Sequence, residues 1–147
     1  MSRLRLVVFA SAFVIPAFLV VSKGYSQRTE QQGNAEVERG RYLAEEVAKC
    51  AECHTPRNAQ GELMRDEWLQ GATIWIVPVV KTSNWAERAP ALAGLPSFTE
   101  EQVERVLEKG TGPEGEALRP PMHIYHMNRD DAKAIVAYLK SLPPRLR

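Results

Sequence analysis

Both cysteines of this 147-residue chain fall in one five-residue run, Cys50-Ala51-Glu52-Cys53-His54. No other feature constrains the fold as much. A two-residue gap lets one helical turn present both sulfurs to a common side, with the imidazole next to them. Four chemistries use such a run. A disulfide between Cys50 and Cys53 would close a tiny loop for little entropic gain. A redox dithiol needs a βαβ setting, whereas a helical pattern precedes the run and a loop comes after it. Zinc wants four ligands, and the remaining histidines, His123 and His126, lie roughly seventy residues further on. Attachment of a covalent haem needs no further cysteine or zinc-type ligand. Both thiols add to porphyrin vinyl groups, and the adjacent histidine ligates iron from one face.

The N-terminus supports that reading. Arg3 and Arg5 precede an unbroken apolar and small-residue run from Leu6 to Val21, with small residues next at Ser22, Gly24 and Ser26. Residues 1–26 read as a signal peptide or an N-terminal membrane anchor through 6–21, with Pro16 favouring cleavage. Either way the remainder is expected outside the cytoplasm, in the periplasm or on the outer face of the membrane. Beyond Lys23 the chain is slightly acidic, which argues against a nucleic-acid or polybasic membrane surface. The polar stretch 27–34 reads as a linker. It leads to a domain over 35–144, whose core is marginal without a buried cofactor.

Three helices are expected in that domain. Val37, Gly40, Ala44, Val47, Ala48 and Ala51 give one apolar face over 36–50, and Gly40 suits a close helix crossing. Thr99 with Gln102 forms a capping box, Phe98 is placed to staple onto Val103, and Gly110 ends the second helix. Asn128 caps the third, which runs to about Leu142 before Pro143-Pro144 and shows an apolar face of Ala132, Ile135, Val136, Leu139 and Leu142. Between the first and second, 57–97 reads as irregular, with 72–80 at most a short extended piece limited by Pro78. The fold class is mostly α, with long loops that need something to pack around.

In their order, these features resemble class I mono-haem cytochromes c. "VERGRYLAEEVAKCAECH" matches the family's first helix and haem site, and "RAPALAGL" (88–95) is similar to its G-P-x-L-x-G-L segment. "RPPMHIYHM" (119–127) falls where the family supplies a distal methionine, and "AIVAYLKSLPP" resembles its closing helix. The resemblance implies a small cytochrome c fold packed round one covalent haem c on Cys50 and Cys53, with His54 as proximal ligand. It also implies that the Pro90 carbonyl orients His54 and that Tyr138 packs on Gly40. The segment from about 57 to 87 departs from the compact family pattern and reads as an insertion. Trp75 and Trp85 within it are candidates to line the cofactor, with the Trp85 indole donating to a haem propionate.

Candidates for the distal ligand are Met64, Met122, His123, His126 and Met127. Met64 is too near His54 in sequence to reach the opposite face, and Met127 is accounted for by a staple before Asn128. Met122 is preferred because Pro120-Pro121 stiffen and extend its approach. Met127 is its main rival. Thioether ligation favours Fe(II) and raises the potential. No general base, nucleophile or substrate pocket is identifiable, and Glu100, Glu101 and Glu104 read as a solvated helix face. The expected role is electron transfer between a dehydrogenase and a membrane respiratory complex or oxidase, without catalysis of its own. The alternatives are a five-coordinate haem protein that binds gas or peroxide, and a dithiol oxidoreductase.

Overall fold

The computed structural model describes residues 17–145, with side chains from Glu30 onward. Most of the expected leader, 1–26, lies outside the described residues. Among those described, no helix is long and apolar enough to cross a membrane. The chain divides into units at 1–32 and 33–147, and the second holds the whole of the expected domain, 35–144.

Helix α1 runs Ala17–Tyr42. The stretch 27–34, expected as a linker, is therefore helical. Its Gln, Arg and Glu residues are good helix formers, and polarity alone does not break a helix. The apolar-faced helix expected over 36–50 in turn stops short. After Tyr42 the backbone widens into a π turn at Leu43–Val47, closed by Ala48 N–H donating to Leu43 O at 2.7 Å. Lys49 then takes a left-handed φ of 53°. This redirects the chain, so that Ala51–His54 forms a separate four-residue helix, α2. Single π turns inside helices tend to mark functional sites, because the extra residue re-aims the next stretch of backbone.

Helices α3 (Glu100–Lys109) and α4 (Arg129–Ser141) begin and end where their signals lie. Thr99 Oγ1 accepts from Gln102 N–H while Gln102 Oε1 accepts from Thr99 N–H, and Gly110 closes α3 with a left-handed φ of 66°. Asn128 Oδ1 accepts from Asp131 N–H at the start of α4. The two helices pack on each other, and α4 also packs on the π turn. Leu43, Ala44, Val103, Leu107, Ile135 and Leu139 fill the space between. At the crossing of α1 with α4, a Cβ built on Gly40 would lie 1.8 Å from the Ala134 carbonyl oxygen. Only glycine lets the backbones come that close.

The long connection contains one small sheet. β1 (Ala72–Thr73) pairs antiparallel with β2 (Arg88–Ala89), with Ala72 opposite Ala89. Of the apolar run 72–80, only the first two residues are in a strand. Val77, Val79 and Val80 project into solvent, and Trp75 is more than half exposed. The connection is nevertheless tied to the motif. Leu69 N–H donates to the buried Thr55 Oγ1 at 2.9 Å, Gly71 N–H to His54 O at 2.8 Å, and Leu92 N–H to Leu69 O at 2.8 Å. Among the described residues the result is mostly α, three main helices with long loops, as expected for a small cytochrome c fold.

Candidate cofactor site

Helix α2, the start of the 88–95 segment, α3, α4 and the 117–125 loop line an open-sided cavity of about 530 Å³. That lies within the ~300–1,000 Å³ range of cofactor sites. Cys50, Cys53 and His54 enter from one element, while Pro90, Met122 and Tyr125 enter from others. The sequence separation between His54 and Met122 is thus closed by the packing of the loops.

The histidine's tautomer is set by its partner. His54 is 7% exposed, and its Nδ1 lies 2.8 Å from the Pro90 carbonyl oxygen. A carbonyl can only accept, so Nδ1 carries the proton and Nε2 keeps its lone pair, the form a metal ligand needs. Burial pushes the imidazole's pKa down, against the Pro90 hydrogen bond that raises it, so the ring is held neutral. Burial also pushes the Cys50 thiol up to about 11 and raises Cys53. A redox dithiol or thiolate nucleophile calls for the opposite shift. Among the described residues, no group of three or more His, Cys, Asp or Glu could hold a metal ion. The zinc reading has no support there.

Of the five candidates for the distal position, only Met122 and His123 line the cavity. His123 is exposed and packs edge-on against Tyr125, ring centres 4.8 Å apart. Met127 lies elsewhere: its N–H donates to Leu107 O at 3.0 Å and its side chain packs against the core. Neither Met64 nor His126 reaches the cavity. The approach to Met122 differs from the extended one expected. Pro120-Pro121 is a cis pair inside a turn, and Met122 N–H donates to Arg119 O at 3.1 Å.

Trp85 departs from its expected place. Its Nε1–H donates to Ile76 O at 3.3 Å, within its own loop, and it does not line the cavity. Trp75 is also outside, donating to Glu52 O at 3.1 Å with Arg57 stacked 4.7 Å from its ring centre. The neighbours Ile74 and Ala86 line the cavity instead. In a loop lacking regular structure, alternation does not tell which side chain turns inward.

Two sets of contacts go beyond the expectations from the sequence. Tyr138, expected only on Gly40, also bonds through its hydroxyl to Glu45, and Trp68 Nε1–H reaches both at 3.2 Å. Tyr125, within the 119–127 segment, lines the cavity and donates its hydroxyl to Ala48 O at 2.7 Å, tying the 117–125 loop to the turn before Cys50. Burial raises the Tyr125 pKa to about 12, so it stays a neutral donor. An aromatic between two histidines was the one available signal.

Two thiols, one at the N-cap of α2 and one within it, a neutral imidazole with a free Nε2, a thioether and an apolar wall suit a covalently held haem. The cytochrome c family model matches residues 37–143. The fructose dehydrogenase cytochrome subunit of Gluconobacter japonicus is 33% identical over 121 residues, 76% of this chain and 23% of that protein. A diheme cytochrome c-type protein of Cereibacter sphaeroides is 29% identical over 142 residues, 92% of this chain and 45% of that one. The cytochrome c subunit of a quinone alcohol dehydrogenase from Gluconobacter oxydans is 30% identical over 118 residues, 74% of this chain and 24% of the subunit. The chain thus spans less than half the length of each of these relatives. With the family matched across nearly the whole folded unit and its motif residues gathered round one cavity, the chain belongs to the cytochrome c family.

Proposed function

We propose that this chain is an exported mono-haem cytochrome that accepts single electrons from a dehydrogenase and passes them to a respiratory acceptor. Cys50 and Cys53 would anchor the haem, and His54 and Met122 would supply the nitrogen and the thioether that ligate its iron. The observation that carries this reading is the convergence of a Pro90-oriented, neutral His54 and the Met122 thioether on one apolar cavity. When bound, haem supplies a one-electron iron couple. The chain's own contribution is to fix the ligands, exclude water and present a surface for docking.

One C-x-x-C-H run is present, so one haem is expected for this chain. The leader, 1–26, supports export, since c-type attachment usually takes place outside the bacterial cytoplasm. The named relatives that are dehydrogenase cytochrome subunits favour a dehydrogenase as the electron donor. Such docking is transient, burying under about 1,200 Å². An alternative attachment, as a fixed subunit of one dehydrogenase, uses the same site.

The test is a set of oxidised and reduced spectra of the protein exported in a host that attaches haem, beside Met122→Leu and Met127→Leu. A haem assay should give one haem per chain. The sulfur-to-iron charge-transfer band of the oxidised protein should vanish, and the potential fall, only in Met122→Leu. Loss of the band in Met127→Leu alone would move the ligand. A wild type without the band would favour the five-coordinate alternative.

A further inference from the structure

The 57–87 segment supplies neither a haem anchor nor an iron ligand, yet its far end is bound to the loop that carries Met122. Arg119 Nε–H donates to Asn84 O at 3.3 Å, and its Nη2 donates to Trp85 O at 2.9 Å. In the reverse direction, Ala86 N–H donates to Pro120 O at 2.7 Å. Met122 N–H closes the turn on Arg119 O at 3.1 Å. Arg119 and Ala86 both line the cavity beside Met122.

We infer that Arg119 is a positioning residue. It clamps the 84–86 backbone to the 119–122 turn and so governs how readily Met122 leaves the haem iron. The chemistry suits the task. A guanidinium offers several donors in a planar fork, here used on two successive carbonyls that lysine could not satisfy in the same way. The second anchor is the Ala86 amide, which pins Pro120 from the other side. Only Pro120 and Pro121 separate Arg119 from Met122, and this stiff pair transmits its placement. The insertion acts as a brace on the distal wall. Trp85 contributes through its carbonyl to this brace, and its ring is held out of the cavity by Ile76.

The inference rests on the reading of Met122 as ligand, so the experiment separates the two. In the holoprotein, amide hydrogen exchange at Ala86 and Met122 reports the clamp whatever the ligand. Cyanide binding to the oxidised protein reports how often the distal position opens. Arg119→Gln should accelerate exchange at both amides and speed cyanide binding about tenfold, the loss of roughly one charge-assisted hydrogen bond. The sulfur band of the oxidised protein should persist, because Met122 itself is retained. Arg119→Lys should fall between the two. Unchanged exchange and cyanide binding in Arg119→Gln would overturn the clamp. Faster exchange in a protein whose wild type lacks the sulfur band would uphold the clamp and refute the Met122 assignment. If Arg119→Gln does not fold, wild type alone decides. The Ala86 amide must exchange more slowly than those of Val79 and Val80 in the same loop; equal rates would refute the proposal.

Discussion

Replacing Gly40 with alanine should destabilise the protein although it removes a helix-weakening residue. A methyl carbon at Gly40 would lie 1.8 Å from Ala134 O, 2.4 Å from Ala134 C and 2.9 Å from Tyr138 Cβ. Ordinary contact between such atoms is roughly 3.5 Å, so α1 and α4 must part by about 1.5 Å. Overpacking costs about 1–3 kcal/mol when side chains can yield, and here the obstacle is backbone, which places Gly40 at the upper end. Alanine returns about 1 kcal/mol of helix propensity. The net loss is about 2 kcal/mol. For a domain of this size, each kcal/mol moves the midpoint by about 4 °C, so Tm should fall by about 8 °C. Far-UV circular dichroism of the holoprotein during heating measures it. Gly33→Ala is the control, because a Cβ there meets nothing within 4 Å and lies in the same helix. That variant should be neutral or slightly more stable. A Gly40→Ala midpoint at or above wild type would refute the close-crossing reasoning.

Thr99→Ala removes one half of the α3 capping box and should cost about 1 kcal/mol in denaturant unfolding. Asn128→Ala should cost a similar ~1 kcal/mol by uncapping α4. Burial first, and then the bond to Glu45, raise the Tyr138 pKa from 10 to about 12. The folded state therefore keeps a proton that the unfolded chain releases. Stability from this source is complete below pH 10 and is lost as pH rises through 12. Tyr138→Phe should flatten that part of the stability–pH curve, as measured by unfolding at a series of alkaline pH values.

The parts legible in the sequence were those written in local chemistry. Thr99 and Gln102 sit three residues apart and meet across one turn, so spacing alone foretold the box. Asn128, Gly110 and Pro143 mark ends for the same local reason. Gly40 was readable as a crossing because a glycine inside an apolar helix face weakens the helix unless a neighbour packs closely on it. Its Tyr138 neighbour and the Pro90 bond to His54 came from family likeness, since nothing local joins residues so distant. The features that stayed hidden depend on distant backbone groups. Trp85 turns to Ile76 O, Leu69 to Thr55 Oγ1, and Arg119 to the 84–85 carbonyls. None of these leaves a period or a composition to read. The π turn at Leu43–Val47 was equally silent, because one extra residue in a helical turn does not alter the pattern of apolar side chains.

The Glu45–Tyr138 bond joins residues 93 apart in sequence, so bringing the two terminal helices together closes a loop of that length. The entropy of closing a flexible loop grows only with the logarithm of its length. Removing the roughly thirty residues of 57–87 would lower that cost by only about 0.4 kcal/mol. A large excursion between these helices is thus nearly free for the chain to form. Its length can change while the crossing at Gly40 keeps its strength, provided Leu69 and Gly71 stay bonded to Thr55 and His54, and the 84–85 carbonyls to Arg119.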